Sequence, residues 1–403
     1  MLAFVAVVFL VIALIHLYLW KRLVRDTLRP GWARRAGGLA VVLLAVLVPA
    51  TLIGTRTGAA KWLAWPGYLW IALMFYLLVA LIVLEVPRLV LGLFTRARTT
   101  ANAEQAAMAH AGPRTSTATV EAPATSTEKP GVERRLLLAR SAAIVAGLTA
   151  TGITGYGVRT ALGSPRLDRV EFPLAKLPRS LDGTRLAVVS DIHLGALTGL
   201  RRVGRIVDLI NSVNADIVCV VGDLVDGTVE ELGRFAEPLA GIRSRRGAYF
   251  VTGNHEYYSG FAPWVQEVAR LGVRPLRNER VELGGLDLAG VNDLNGTGFG
   301  DAPDFGKALG NRDTTRPVVL MAHQPIAAHD AAPYGVDLQV SGHTHGGQMV
   351  PFNLVVRMAQ PIVSGLGRVD GVPVYVTNGA GFWGPPVRVG APPQITVIDL
   401  RTP

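Results

Sequence analysis

The chain has 403 residues, 50% of them hydrophobic and 17% charged, which is too long for one ordinary domain and too apolar for a purely soluble protein. A formal net charge of +10 would suit a polyanion-binding surface, but many of the basic residues flank apolar runs, so no nucleic-acid partner is expected. The lone cysteine, Cys219, stands in the apolar run Asp216-Ile-Val-Cys-Val-Val, which rules out an intramolecular disulfide and reads as core.

Residues 1–95 read as a membrane domain with three transmembrane helices. Met1 to Trp20, Ala36 to Thr55 and Trp62 to Leu84 each approach the roughly 20 apolar residues that cross a bilayer. The first run lacks a basic segment ahead of it and two more spans follow, so it is expected to be an anchor rather than a cleaved signal. Lys21, Arg22, Arg25, Arg29, Arg34 and Arg35 lie between the first two runs, against only Arg56 and Lys61 between the next two. Basic residues are retained on the cytoplasmic side, which orients the first of these loops inward.

Residues 96–135 are expected to be a flexible cytoplasmic linker, because Thr99 to Val132 is mostly Ala, Thr, Ser, Pro and Glu and has little apolar surface to bury. Residues 136–160 form a fourth transmembrane helix or a segment resembling a twin-arginine export signal, since Ser141 to Val158 is mildly apolar and follows Arg134 and Arg135. A crossing there places the remainder of the chain on the extracytoplasmic side of a multi-pass cell-membrane protein.

From residue 168 to residue 403 the pattern is that of a folded domain. Short β-branched runs (Leu186 to Val189, Ile217 to Val221, Tyr249 to Thr252, Val318 to Met321, Leu338 to Val340, Val374 to Thr377, Ile395 to Ile398) alternate with helical or turn segments. Val203, Ile206, Val207, Ile210 and Val213 recur at helical spacing, with arginines and Asp208 on the other face. Strand, helix and strand from 184 to 221 predict a βαβ unit within an α/β sandwich.

Five of the eight histidines fall in five motifs at strand ends: Ser190-Asp-Ile-His193, Gly222-Asp-Leu-Val-Asp226, Gly253-Asn-His-Glu256, Ala322-His-Gln-Pro325 and Gly342-His-Thr-His345. Asp191 and His193 are two apart at the end of a strand, where side chains share a face, so they can grip one ion; His343 and His345 repeat that spacing. Asp223 has two oxygens and can bridge two cations. Asn254 adds an amide oxygen and His323 a further imidazole, a mixed N/O set suited to two divalent transition metal ions: Mn, Fe, Zn or Co. Two such cations about 3.5–4 Å apart activate a water and polarise a phosphoryl group, with no covalent nucleophile required. No Gly-x-Ser-x-Gly elbow is present.

These five motifs, in this order, resemble the calcineurin-like metallophosphoesterase superfamily, and Gly342-His-Thr-His-Gly-Gly-Gln348 resembles its bacterial membrane-linked phosphoesterase branch. The resemblance implies a two-sheet α/β sandwich flanked by helices, following the transmembrane region. It implies that Asp191, His193, Asp223 and His345 hold one metal and Asp223, Asn254, His323 and His343 the other. His255 is then the group facing the phosphate, oriented by Asp226. The protein-phosphatase branch has an arginine where this chain has Gly227, which favours a diester, pyrophosphate or lipid-linked substrate over a phosphomonoester.

The activity expected is thus metal-dependent phosphoester hydrolysis, most simply of a diester at the envelope. A phosphomonoesterase and a non-catalytic metal-binding assembly module are the alternatives. Glu256 is expected to cap its loop, Asp293 and Arg388 are candidates for substrate contact, and Tyr257, Tyr258, Phe382 and Trp383 for an apolar lip. His16, His110 and His329 are read as structural. The oligomeric state is left open.

Overall fold

The computed structural model describes residues 2–109 and 130–403. The chain divides into two compact units, Met1–Ala50 with Trp70–Thr154, and Thr51–Leu69 with Gly155–Pro403.

The first unit is helical. Its elements are α1 (Leu2–Leu19, continued by a π-helical turn Trp20–Arg25) and most of α2 (Trp32–Arg56), α3 (Ala64–Ala109) and α4 (Pro130–Leu162). Four segments among the described residues are long and apolar enough to cross a membrane: Ala6–Arg25, Trp32–Arg56, Lys61–Val86 and Arg135–Leu162. Their apolar side chains point largely outward, as in Leu43, Val46, Val83 and Leu148, which is the pattern of helices solvated by hydrocarbon. His16 is satisfied inside this unit, its Nδ1 2.8 Å from the Ile12 carbonyl and its Nε2 accepting from Trp70 Nε1 at 3.2 Å.

Where composition predicted a flexible linker over 96–135, helix α3 continues to Ala109 and α4 begins at Pro130. The stretch from Arg96 to Ala109 is built largely from Ala, Arg, Glu, Gln and Met, strong helix formers that need no buried face to extend an existing helix. The rest of that segment, His110 included, lies outside the described residues.

The second unit is a sandwich of two six-stranded sheets. Its strands are β1 (Arg166–Pro173), β2 (Thr184–Val189), β3 (Ile217–Val221), β4 (Ala248–Val251), β5 (Arg274–Pro275), β6 (Glu279–Glu282), β7 (Asp287–Gly290), β8 (Val318–Met321), β9 (Leu338–Ser341), β10 (Gly365–Val369), β11 (Val372–Val376) and β12 (Gln394–Arg401). The orders are β1-β12-β2-β3-β4-β5 and β10-β11-β9-β8-β7-β6. Strands β2 to β5 run parallel in the first sheet, and β7, β8, β9 and β11 in the second.

Alternation along the strands builds the layers. Leu186, Val188, Ile217, Cys219, Val221 and Val251 meet Leu288, Val319, Met321, Leu338 and Val340 between the sheets. The intervening residues Ala187, Val189, Val218, Val220 and Phe250 face α5 (Leu200–Ser212), α6 (Val229–Ala236) and α8 (Phe261–Arg270) through Val203, Ile206, Ile210, Leu232, Trp264 and Val268. Strands buried on both faces read as continuous apolar runs, which is why β2, β3, β8 and β9 are visible in the sequence. Helix α5 covers the sheet as its spacing predicts, with one difference. Arg202 is buried at 6% exposure, donating to the Ala380 carbonyl at 3.0 Å and stacking over Phe382, so not every arginine of this helix faces solvent.

Candidate metal centre

Every donor residue sits on a loop at the C-terminal end of a parallel strand, the position where open α/β sheets present their ligand sites. Asp191 and His193 follow β2; Asp223 and Asp226 follow β3; Asn254 and His255 open the short helix α7 (Asn254–Ser259) after β4; His323 follows β8, and His343 and His345 follow β9.

The paired donors do not lie on strands. Strand β2 ends at Val189, and Asp191 and His193 lie beyond it in left-handed backbone, with φ of 54° and 49°. Asp223, His343 and His345 share that conformation, so these five make up most of the nine non-glycine residues with positive φ among those described. Each costs on the order of 1–3 kcal/mol, and such strain persists where the surrounding fold over-determines it. The paired donors converge because the chain turns sharply, not because a pleat aligns them. Gly342 makes room for this turn: a Cβ there would overlap Ser190 Oγ and Asp191 Oδ2.

Two of the donor groups hold the expected ligands, and a third joins His193, Asp226 and His255. In the first, His345 Nε2 lies 3.4 Å from Asp191 Oδ1 and 3.0 Å from His193 Nε2, which is itself 3.9 Å from Asp191 Oδ1. In the second, His323 Nε2 lies 3.1 Å from Asp223 Oδ2, and His343 Nδ1 faces Asn254 Oδ1 at 2.9 Å. Asp223 Oδ2 is also 3.9 Å from His193 Nε2, which places that carboxylate between the groups. All seven metal candidates read from the sequence are thereby brought together.

His323 provides the test of whether these residues suit a cation. Its Nδ1 donates to the Val221 carbonyl at 2.8 Å, which leaves the lone pair on Nε2; that atom is buried without a hydrogen-bond partner and points at the Asp223 carboxylate. A lone pair facing a carboxylate oxygen calls for a positive charge between them. His193 repeats the arrangement, donating from Nδ1 to Asp226 Oδ1 at 2.9 Å and turning Nε2 toward His345. Imidazole nitrogens with carboxylate and amide oxygens, and no thiolate, are a donor set that divalent transition metals accept.

Electrostatics agree with that fit. Burial alone would lower the His323 imidazolium, yet Asp223 and Asp191 carry it well above its ordinary value, so a proton is drawn to the place a metal would take. Burial, then His323, depresses His343 to about 4, and burial with Arg388 and His193 holds His345 well below its ordinary value, keeping both neutral and able to ligate. Burial would raise Asp223, but the surrounding histidines, His323 first, hold it well below the usual carboxylate range.

His255 stands beside these groups. Its Nδ1 is 2.7 Å from Asp226 Oδ1 and its Nε2 is 4.0 Å from Asp223 Oδ2. Burial works against its charge, but Asp223, Asp226 and Glu256 prevail and raise it to about 9. The ring is bordered edge-on by Tyr258 and Trp383, at centroid distances of 5.7 and 6.0 Å.

Several neighbouring roles differ from the sequence reading. Arg388 is fully buried and touches no open surface; it donates to the His345 carbonyl at 2.7 Å and the Asn378 carbonyl at 2.9 Å and abuts His345 Nδ1 at 3.0 Å, so it positions that ring instead of meeting substrate. Asp293 accepts from Gln324 Nε2 and Asn295 N and is likewise enclosed. Of the four aromatic candidates, Tyr257 and Phe382 are buried, while Tyr258 and Trp383 are exposed at the rim. Glu256 caps its loop as expected and also reaches back to the β3 loop, accepting from Gly253 N at 2.6 Å, Leu224 N at 2.7 Å and Asp223 N at 3.0 Å. Burial, with Asp223 next, raises its carboxyl to about 8. His329 pairs with Asp370 at 2.6 Å, in keeping with a structural role. Ser190 and Gly253 open two of the motifs but were given no role there; Ser190 Oγ donates to the Val221 carbonyl at 2.7 Å, and Gly253 packs against Asp223, where a Cβ would overlap Oδ1.

Comparison with known proteins agrees with this geometry. The calcineurin-like phosphoesterase family profile matches residues 184–347. A transmembrane protein with metallophosphoesterase domain from Danio rerio is 40% identical over 261 residues, covering 61% of this chain and 60% of that protein. An uncharacterized metallophosphoesterase from Helicobacter pylori strain J99 is 38% identical over 254 residues, covering 62% and 68%. One from Aquifex aeolicus is 33% identical over 243 residues, covering 59% and 92%. The chain thus spans about three-fifths of the Danio rerio relative's length. On the identity and coverage of these relatives and on the matched profile, the chain belongs to the calcineurin-like phosphoesterase family of metallophosphoesterases.

Proposed function

We propose that this protein is a membrane-anchored phosphodiesterase or pyrophosphohydrolase that uses two divalent metal ions and acts on an envelope or lipid-linked phosphate ester. The observation that carries the reading is the position of Asp223, one carboxylate set between the Asp191/His193/His345 group and the His323/His343/Asn254 group, with His255 alongside.

Asp191, His193, Asp223 and His345 would hold one ion, and Asp223, Asn254, His323 and His343 the other. When bound, the ions supply Lewis acidity that activates water and polarises the phosphoryl oxygens. The protein's own residues do the rest. Asp226 Oδ1 accepts from Nδ1 of both His193 and His255, which turns their Nε2 atoms toward the centre. His255, held protonated, delivers its Nε2 proton to the departing oxygen as the phosphorus–oxygen bond breaks. Arg388 and Glu256 fix His345 and the Asp223 loop from behind.

A diester is favoured because Gly227 offers no cation to a dianionic monoester and its loop is closed by Trp264 Nε1, which donates to the Gly227 carbonyl at 2.8 Å. Exposed Tyr258 and Trp383 suit the apolar part of a lipid-type substrate. Four apolar helices and relatives named as transmembrane proteins support a multi-pass anchor. The loop between the second and third of these helices belongs to the catalytic unit, with Lys61 paired to Glu231 at 3.0 Å, which supports an extracytoplasmic catalytic domain.

The test is hydrolysis of bis-p-nitrophenyl phosphate and p-nitrophenyl phosphate by the metal-loaded full chain and its Asp223→Asn variant. Diester turnover lost in the variant is the expected result; turnover that survives Asp223→Asn rejects the mechanism. Strong cytoplasmic activity of a reporter fused after residue 165 would reject the orientation.

A further inference from the structure

Arg56 is the last residue of α2, and it belongs to the same compact unit as the metal centre. Its guanidinium carbon lies 5.7 Å from the centroid of the Tyr258 ring, and the same ring meets His255 edge-on, also at a centroid distance of 5.7 Å. Arg56 and His255 therefore share one aromatic neighbour, Tyr258. The Tyr258 hydroxyl accepts from Asn295 Nδ2.

The loop after Arg56 is fastened independently. Lys61 pairs with Glu231, Thr55 Oγ1 lies 3.0 Å from the Tyr68 hydroxyl, and the Tyr68 ring packs beside Gly384, next to the exposed Trp383. The charge of Lys61 is thereby compensated. Arg56 is exposed and has no carboxylate partner among the described residues, so its charge remains available at the rim. Trp62 and Trp65, also exposed in this loop region, are of the residue type that settles at the level of lipid headgroups.

We propose that Arg56 is a specificity-determining residue: it binds a second phosphoryl group adjacent to the scissile one in an amphiphilic substrate. This rests on the phosphodiesterase reading above and narrows the substrate class to amphiphiles with two neighbouring phosphoryl groups. The guanidinium is suited to the task, since its planar fork matches phosphate oxygens in a way that a stacked aromatic neighbour does not obstruct. The apolar portion lies along Tyr258 and Trp383, and the arginine reads charge that a simple diester lacks.

The experiment is calorimetric titration of the metal-loaded full chain, in a neutral detergent, with dodecyl diphosphate, dodecyl phosphate and methyl diphosphate. Wild type is expected to bind dodecyl diphosphate about ten-fold more tightly than either other ligand. Arg56→Gln should bring the two dodecyl ligands to within about two-fold of each other, and Arg56→Lys should keep most of the preference. An unchanged preference in Arg56→Gln, or an equal weakening of both dodecyl ligands, which would mark the arginine as a mere staple for Tyr258, overturns the proposal. Equal affinity for methyl and dodecyl diphosphate overturns the amphiphile. Failure of the proposed function is distinguishable: the calorimetric preference would persist in a chain that hydrolyses no ester, whereas diester hydrolysis with no effect of Arg56 sinks only this inference.

Discussion

Asp226 Oδ1 stands 2.7 Å from His255 Nδ1, and that one contact sets the direction of the imidazole at the edge of the metal centre. The same oxygen accepts from His193 Nδ1 at 2.9 Å, so a single carboxylate fixes the orientation of both rings. The two histidines hold Asp226 well below the usual carboxylate range, although burial opposes them, so the acceptor stays ionised. A metal site that served structure alone has no need of the second ring.

If His255 delivers a proton to the departing oxygen, its importance depends on how basic that oxygen is. In His255→Ala, turnover of a diester with an alkyl leaving group is expected to fall by about 10²–10⁴-fold, and that of bis-p-nitrophenyl phosphate by much less, because p-nitrophenolate leaves without help. Equal losses on the two substrates would assign His255 to phosphate binding instead.

The proton on His255 also couples to stability. Its value is raised from 6.5 to about 9 in the metal-free fold, so the group contributes stability that is fully present below pH 6.5 and is lost as pH rises through about 9. Between pH 8 and 9.5 the melting temperature of metal-free wild type is expected to fall more steeply than that of His255→Gln. Metal loading should lower the titration of His255, measured by NMR, because cations disfavour the imidazolium.

Glu256 links two loops through three backbone amides. Glutamine in its place offers one acceptor oxygen and one amide group, leaving at least one buried N–H unmet, at a cost of about 1–3 kcal/mol. Glu256→Gln is expected to lower the denaturant midpoint accordingly and to weaken metal affinity, since the Asp223 loop loses its anchor. A midpoint identical to wild type would show that the loops hold without it.

Chelation tests the centre as a whole. Asp191, Asp223 and five histidines are packed together, with His323 Nε2 buried and unpartnered, so removing bound metal is expected to lower the melting temperature and end hydrolysis, with Mn, Fe, Zn or Co restoring both. Full activity after exhaustive chelation, with elemental analysis finding no transition metal, would refute metal dependence.

The seven metal candidates were legible because aspartate, asparagine and histidine in five ordered motifs have few other reasons to follow apolar strands. Strands β2, β3, β4, β8, β9, β11 and β12 were legible through their apolar runs. Strand β1, Arg-Leu-Asp-Arg-Val-Glu-Phe-Pro, does not stand out in the sequence because it is a charged edge strand with only Phe172 buried, and β7 is too short and glycine-ended to stand out. Arg388 was misassigned to substrate, since a basic residue near a phosphate site and a buried ring support look alike in one dimension.

Side-chain chemistry is local, and so the residue types along the chain were enough to single out the candidate donors and the segments apolar enough to span a membrane. The working nitrogen of each imidazole is another matter. It is chosen by whatever meets the opposite nitrogen, and those partners come from far along the chain: Asp226 lies 33 residues from His193, Val221 102 residues from His323, and His345 152 residues from His193. Only the closing of the two sheets, with the left-handed turns at their strand ends, brings those atoms face to face.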